Sequence, residues 1–351
     1  MTSRERLKAL VAKQPVDQIC QTAWWHLPMV DNNVTDFVKA TIDFTENNSF
    51  DFVKMMYNTL FFAQNFGVNV EYSHNPLDWK PTALNASCLH PSEFKTLTIT
   101  PPTQGNLGRQ LEATKRVVDH FQGKVPVIGT TFTDLSFYKD MITFFNNSCV
   151  PLAIKYYPND LHDALKRINE TNVQWIEALA KIGVDGMFIA SHFATNDCLN
   201  DEQFEEFCRP YDMVLCETAN NNLWFNMLHI HGTGRLSFNR FLEYPVQAYS
   251  WEDIYGAPDC VSFSQAAKMT DKIFIGGIEM WNDYKDPTYD RDKIKARLKQ
   301  RCYDAINAVG KDRFIFAPGC GAPLDIPPFV FSLQAEVVKE ITAELQAKSH
   351  L

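Results

Sequence analysis

The strongest constraint on the fold is a regular alternation of eight short apolar segments with helical patterns. The segments have the length and the β-branched and aromatic content of buried strands, and they lie at residues 19–25, 50–56, 124–132, 184–191, 223–231, 246–252, 272–277 and 313–320. Helical periodicity follows most of them, at residues 35–47, 107–121, 160–182, 201–218, 264–269, 290–309 and 327–347. Strands that alternate with helices pair in parallel, and eight such units close into a (β/α)8 TIM barrel. We therefore predict an α/β fold with one barrel domain over residues 1–351.

The composition excludes several classes of partner. The formal net charge is −9 and no run of Lys or Arg is longer than two residues, which argues against nucleic acid and anionic membranes as ligands. No apolar stretch approaches the roughly 20 residues that a membrane span needs. The nine cysteines are irregularly spaced and form no CxxC pair, which is typical of reduced thiols. These features predict a soluble protein of the cytoplasm.

Chemistry in such barrels takes place at the carboxyl ends of the strands, so residues at those positions are the candidates for a functional site. The fifth predicted strand ends in His229 and His231, which lie on one face because side chains in a strand alternate with period two. Glu252 ends the sixth strand and Cys320 ends the eighth. Imidazole, carboxylate and thiolate together suit Zn(II). We therefore predict a zinc site formed by His229, His231, Glu252 and Cys320.

The other strand ends supply candidates for catalysis and substrate binding. His192 follows the fourth strand and Glu279 the seventh, and we assign both to acid–base or orienting roles in catalysis. Four further residues near strand ends are assigned to substrate binding, with the aromatic ones able to line a pocket for a flat ligand: Trp25, His26, Asn58 and Trp251. A long irregular excursion at residues 75–102 is expected to shape the mouth of the barrel.

Several of these segments resemble the uroporphyrinogen decarboxylase superfamily. The motifs occur in the family's order over nearly the whole chain, and they are SRERLKAL from Ser3, GVDGMFIA from Gly183, FEEFCRPY from Phe204, HIHG from His229 and PGCGAP from Pro318. The resemblance implies a (β/α)8 barrel, in agreement with the strand count. It does not by itself specify the reaction.

True uroporphyrinogen decarboxylases use no cofactor and hold their substrate through an arginine-rich segment after the first strand and an aspartate after the second. The corresponding first segment here, residues 24–31, contains no arginine, and the position that matches the aspartate is Asn58. A substrate with many carboxylates needs cations at its site. The resemblance therefore disfavours classical uroporphyrinogen decarboxylation.

A second branch contains the zinc methyltransferases that move a methyl group from a methylated corrinoid protein to a thiol such as coenzyme M. This branch is similar at His-x-Cys, at a following acidic residue and at Gly-Cys-Gly, which correspond here to His229, His231, Glu252 and Cys320. The departure is His231, where the family has cysteine. With one thiolate fewer, the site is about one charge unit more positive, which favours acidification of a bound thiol or water but lowers the nucleophilicity of the thiolate.

The resemblance thus implies a zinc-dependent methyltransferase, with a methylcobamide as co-substrate and a small thiol as acceptor. The corrinoid would arrive free or on a separate corrinoid protein, and a homodimer is left open. Alternatives are a uroporphyrinogen decarboxylase-like lyase, another metal-dependent lyase or hydrolase, and a non-enzymatic corrinoid- or tetrapyrrole-binding protein. Amidohydrolases also carry His-x-His at a barrel strand end, but on strand one rather than strand five.

Overall fold

Eight parallel strands form one curled sheet with helices around it. The structure is a computed structural model of the chain, and it describes residues 1–142, 149–232, 234–254 and 260–349. The strands are β1 (Cys20–Gln21), β2 (Val53–Lys54), β3 (Val127–Phe132), β4 (Gly186–Ser191), β5 (Met227–Ile230), β6 (Ala248–Ser250), β7 (Ile273–Ile278) and β8 (Phe314–Pro318). Their order in the sheet is β1-β8-β7-β6-β5-β4-β3-β2, so neighbours in sequence are neighbours in space. The prediction of a (β/α)8 barrel is confirmed.

The two ends of this sheet, β1 and β2, are joined by hydrogen bonds that close the ring. The Asp51 N–H donates to the Gln21 carbonyl at 2.9 Å, and the Thr22 hydroxyl donates to the Phe52 carbonyl at 3.1 Å. The Gln21 N–H in turn donates to the Asp51 carboxylate at 2.8 Å. Because Asp51 immediately precedes β2, its side chain fixes the seam between the first and second strands.

Two apolar layers stabilise the barrel. The interior is filled by side chains from alternate strand positions, chiefly Trp24, Phe52, Ile128, Phe188, Met227, Ile275 and Ile315. A larger layer lies between the sheet and the helices, and it includes Leu135, Trp175, Phe204, Trp251 and Phe331. Burial of a large apolar side chain contributes about 1.5–3 kcal/mol, so these layers supply most of the favourable free energy of folding.

The helices agree with the sequence periodicity at most positions. They span Ser3–Val11, Val34–Asn47, Gly105–Phe121, Asp134–Ile142, Cys149–Tyr156, Pro158–Lys181, Asp201–Phe207, Arg209–Asn222, Phe263–Ala266, Arg291–Val309 and Phe329–Ser349. The helix predicted at residues 201–218 is two helices, because the chain turns at Cys208 and Pro210 stands at the start of the second one.

The irregular excursion carries small elements of its own. Residues 75–102 contain the tip and second strand of a short antiparallel hairpin, which pairs Val70–Glu71 with Thr82–Ala83, and a 3₁₀-helix at Pro91–Thr96. Outside the excursion, 3₁₀-helices lie at Ala63–Phe66 and Phe238–Phe241. The hairpin tip reaches the end of β1, where the Trp79 ring packs on the His26 ring at a centroid distance of 5.1 Å. The excursion therefore covers part of the barrel mouth.

Within the part of the chain that the structure describes, no helix is both long and apolar enough to cross a membrane. The assignment of residues 1–351 to one domain and the cytoplasmic location remain predictions.

Candidate metal centre

Three side chains meet at the carboxyl end of the barrel. A ligand atom from each of His229, His231 and Cys320 lies within 4.8 Å of the other two. His229 Nε2 is 3.3 Å from His231 Nδ1, and Cys320 Sγ is 3.6 Å from the same Nδ1 atom. The sequence placed these three residues in one site, and the structure brings them together.

Two of the three separations between these atoms match those expected around a tetrahedral zinc ion. With Zn–N bonds of about 2.05 Å and a Zn–S bond of about 2.3 Å, the edges of a tetrahedron are roughly 3.3 Å for N···N and roughly 3.6 Å for N···S. The two separations that join His229 to His231 and His231 to Cys320 equal these edges. The donor set, two imidazoles and a thiol, is also one that zinc favours. These residues therefore fit a bound zinc ion.

The protein holds both imidazoles in the form that a metal needs. His229 lies on β5 and is buried, and burial lowers the pKa of its imidazole. Burial also lowers the pKa of His231, whose N–H continues the strand ladder by donating to the Ser191 carbonyl at 3.0 Å. A lowered pKa favours the neutral imidazole, which is the metal-binding form.

A neighbouring strand contacts the second ring nitrogen of His229. His229 pairs with Ser250 of β6 in the sheet, and its Nδ1 lies 3.2 Å from the Ser250 hydroxyl oxygen. If Nδ1–H donates to this oxygen, Nε2 is left with a free lone pair on the side where His231 and Cys320 lie. Ser250 thus orients a ligand without touching the ion itself.

Replacing Ser250 with alanine should weaken zinc binding by about 10–100-fold, because partners of this kind fix the ring and tautomer of a ligating histidine. The measurement is a competitive titration against a chromophoric zinc chelator. Ser191→Ala is the matched control, since Ser191 is an equally buried serine at the end of β4 whose hydroxyl has no partner among the described residues. Equal zinc affinities for the two variants would show that Ser250 has no role in the site.

Close backbone approach brings the Cys320 loop to β6. Gly319 follows β8 and its N–H donates to the Ile278 carbonyl at 3.2 Å. A Cβ atom at Gly319 would lie 2.7 Å from the Trp251 carbonyl oxygen and 2.8 Å from Glu252 Cα, which is too close for any side chain. Glycine is therefore required before the cysteine, and the contact holds the segment that carries Glu252 beside Cys320.

Glu252 lies beside the three ligands rather than among them. Its Oε2 atom is buried and has no hydrogen-bond partner in the described ranges, and it is not part of the group of three ligand atoms. Burial raises the pKa of Glu252 to about 7, with Glu279 and Asp253 adding to the rise and His231 opposing it. The assignment of Glu252 as a fourth metal ligand therefore stays a prediction. Its position next to His231 suits a ligand that exchanges with substrate.

The two residues assigned to catalysis have different surroundings. The His192 ring packs at 5.0 Å from the His231 ring, and its Nδ1 is 3.3 Å from Lys139 Nζ, so His192 borders the site. Glu279, in contrast, caps the turn that follows β7: its carboxylate accepts from the Trp281 and Asn282 N–H groups at 2.9 and 2.8 Å and from the Asn282 amide at 2.6 Å. Both Glu279 oxygens are thus used by the turn, which argues against an acid–base role.

The tryptophans predicted to bind substrate belong to the outer layer. The Trp251 ring is fully buried among Phe238, Phe263 and Phe274, with its Nε1–H donating to the Val261 carbonyl at 2.6 Å. No face of Trp251 is left for a ligand, which corrects that assignment.

Trp25 is partly exposed and packs at the edge of the layer between the sheet and the helices. Its ring packs on Phe44 and Phe331 at centroid distances of 5.9 and 5.5 Å, and its Nε1–H donates to the Pro323 carbonyl at 2.9 Å. Because Trp25 is partly exposed and forms a bridge to Ala322, its assignment to substrate binding stays a prediction.

His26 and Asn58 each carry a polar atom without a partner. His26 Nδ1 and Asn58 Nδ2 are buried and make no hydrogen bond within the described ranges. Burial, with a contribution from Lys54, lowers the pKa of His26 to about 3, so this imidazole is neutral. The side-chain carbonyl oxygen of Asn58, Oδ1, accepts from the Leu60 backbone N–H at 3.1 Å. His26 lies next to Gly321, and its assignment to substrate binding stays a prediction, as does that of Asn58.

Sequence reasoning missed Lys54, which lies inside the barrel near the three ligands. Its Nζ donates to Met56 Sδ at 2.9 Å and lies 4.2 Å from the Phe188 ring centroid. Burial lowers the pKa of Lys54 to about 7, and Cys320 partly opposes this. The signal was present in the sequence, because Phe52, Lys54 and Met56 share one face of a strand in which the other two residues are apolar.

Comparisons with known proteins give a family and a fold. The family model described as "Uroporphyrinogen decarboxylase (URO-D)" matches residues 20–341. A solved methyltransferase from Methanosarcina mazei superposes with a TM-score of 0.79 at 18% identity, over 97% of this chain and 99% of that chain. A B12-independent methionine synthase from a Shewanella species, in complex with selenomethionine, gives a TM-score of 0.60 at 11% identity, over 94% and 99%. At these identities the two structures show a shared fold, and no curated protein is significantly similar in sequence.

Proposed function

The chain belongs to the uroporphyrinogen decarboxylase family, and from this premise we propose that it is a zinc-dependent methyltransferase that moves a methyl group from a methylated corrinoid to a small thiol. The observation that carries the proposal is the clustering of ligand atoms of His229, His231 and Cys320 within 4.8 Å of one another, with two separations that match those around a tetrahedral zinc ion. A similar fold in a methyltransferase and in a methionine synthase supports it.

The metal ligands and Glu252 have different roles in this proposal. His229, His231 and Cys320 would hold the ion, and a site with three protein ligands would leave a position for the acceptor. When bound, zinc supplies Lewis acidity that lowers the pKa of the acceptor thiol, so that it is a thiolate at neutral pH. Burial raises the pKa of Glu252 to about 7, and in its ionised form Glu252 would offset the positive charge that the His-for-Cys exchange leaves next to His231.

In the reaction, the thiolate sulfur attacks the methyl carbon of a methylcobamide. The cobalt–carbon bond breaks and leaves its electron pair on cobalt, so the products are a thioether and a cob(I)amide. His192 borders His231 and is positioned to orient the acceptor. The corrinoid would come free or on a separate corrinoid protein, bound at the carboxyl face of the barrel.

The test is to mix zinc-loaded protein with free methylcobalamin and a panel of small thiols, and to follow the appearance of cob(I)alamin by its absorbance. We expect a rate above background for at least one thiol, and a rate at background for His231→Ala. His120→Ala is the matched control. His120 is exposed on the helix Gly105–Phe121 and pairs with Glu46 rather than with a predicted ligand. No rate above the His231→Ala variant with any thiol would refute the methyltransferase, and turnover of uroporphyrinogen would favour the lyase instead.

A further inference from the structure

Lys54 is a partly buried cation without an acidic partner among the described residues. Among residues 1–142, 149–232, 234–254 and 260–349, no carboxylate forms an ion pair with its ammonium group, in contrast to lysines such as Lys115 and Lys295. Its hydrogen bond goes to the thioether of Met56, its ammonium lies over the Phe188 ring, and the Cys320 thiol is near enough to affect its pKa. A buried ammonium without a charged partner is costly, and a thioether and an aromatic face recover only part of that cost.

Two series of contacts connect Lys54 to the predicted metal ligands. The Phe188 ring beneath the ammonium stacks on the His229 ring, with centroids 5.2 Å apart and an interplanar angle of 26°. On the other side, Met56 reaches the Cys320 loop, since its Cε is 3.7 Å from the position that a Cβ of Gly321 would take. The ammonium therefore lies next to the centre at which the acceptor would bind.

A second unsatisfied polar group lies at the same place. His26 is in contact with Gly321, at 3.8 Å from its ring Cδ2 to the Cβ position, and its buried Nδ1 has no partner within the described ranges. The Trp79 ring of the hairpin covers His26 from outside. An unpaired ammonium and an unpaired imidazole nitrogen, both bordering one loop, are the groups that a small organic anion would satisfy.

We propose that Lys54 is a specificity-determining residue whose ammonium binds an acidic group, most simply a carboxylate, of the acceptor, with His26 as a second polar contact. This inference rests on the proposed function for the identity of the acceptor, but the anion subsite itself does not require methyl transfer. The acidic group of the ligand would then give Lys54 the carboxylate partner that it lacks among the described residues.

The experiment compares two thiols that differ only in the acidic group. 3-Mercaptopropionate and 3-mercapto-1-propanol are titrated into Co(II)-substituted protein, and their dissociation constants are measured from the sulfur-to-cobalt absorption. The variants are Lys54→Met, which keeps the length of the side chain without its charge, and Lys54→Arg, which keeps the charge. In a separate arm, binding of propionate to metal-free protein is followed by saturation-transfer NMR.

We expect wild-type protein to prefer 3-mercaptopropionate by about 10-fold or more, because charge-assisted hydrogen bonds are about twice as strong as neutral ones. Lys54→Met should lose this preference and keep its affinity for the uncharged thiol, and Lys54→Arg should retain most of the preference. Propionate should bind wild-type protein and not Lys54→Met. Equal affinities of wild-type protein for both thiols, or a preference that survives in Lys54→Met, would overturn the inference.

The outcomes separate this inference from the proposed function. Selective anion binding without methyl transfer to any thiol would leave the subsite standing and refute the methyltransferase. Methyl transfer that is equally fast to both thiols, and unchanged in Lys54→Met, would support the methyltransferase and refute the anion subsite. If neither thiol binds, the propionate arm decides, since it needs no metal.

Discussion

Replacing Cys320 with alanine should lower zinc affinity by more than about 100-fold and bring methyl transfer to background. Zinc binding worth about 10–16 kcal/mol over four ligands corresponds to roughly 3 kcal/mol for each ligand. Cys320 is also the one thiol of the cluster, so its loss removes the anionic ligand and leaves two neutral imidazoles. Zinc affinity is measured by chelator competition, and methyl transfer by the appearance of cob(I)alamin.

The matched control is Cys302→Ala. Cys302 is a buried cysteine of the helix Arg291–Val309, where it packs in the outer layer. Its replacement should leave zinc affinity and the rate of methyl transfer within about twofold of wild type, because it removes a thiol of the same size outside the site. A Cys320→Ala protein that keeps wild-type zinc affinity would contradict the ligand assignment.

Replacing Arg6 with methionine should destabilise the fold by about 3–5 kcal/mol, the range expected when one partner of a buried ion pair is removed. Arg6 donates to Asp51, and both side chains are almost completely buried, at 7% and 1% exposure. Asp51 also accepts from the Gln21 N–H at the seam between β1 and β2. Without Arg6, the carboxylate at this seam is left buried and unpaired.

Thermal unfolding followed by circular dichroism measures this effect. At about 2.1 cal/mol/K per residue for the entropy of unfolding, a loss of 3–5 kcal/mol in a chain of 351 residues lowers the Tm by roughly 4–7 °C. Arg116→Met is the control, because Arg116 forms an exposed pair with Glu112 that contributes at most about 1 kcal/mol. Equal Tm values for the two variants would show that the Arg6–Asp51 pair does not hold the seam.

The fold was predictable because its signal is repeated. Each barrel strand is a short apolar run, and a helix follows most of them, so an error of a few residues at one strand does not change the count. The predicted strand at residues 19–25 illustrates this, since only Cys20–Gln21 is regular strand, and Trp25 forms a single bridge to Ala322. The three ligands were found for a related reason: His229, His231 and Cys320 each end or follow a strand, and barrel topology brings strand ends together.

What the sequence did not specify is the direction of side chains next to the strand ends. Trp251 and Glu279 stand at the expected positions, but Trp251 packs outward against the helices and Glu279 turns back to cap its own loop. Both outcomes depend on neighbours that are distant in sequence or on the local turn. Lys54 was missed because a lysine is normally solvated, whereas contacts with Met56 and Phe188 hold this one inside the barrel.

The most direct test of the metal centre is the zinc content of protein purified without added metal, measured by inductively coupled plasma mass spectrometry. The geometry of His229, His231 and Cys320 predicts about one zinc ion per chain in wild-type protein. It also predicts that His231→Ala and Cys320→Ala, purified in the same way, lose most of that zinc. Substoichiometric metal in wild-type protein that is unchanged in both variants would contradict the site.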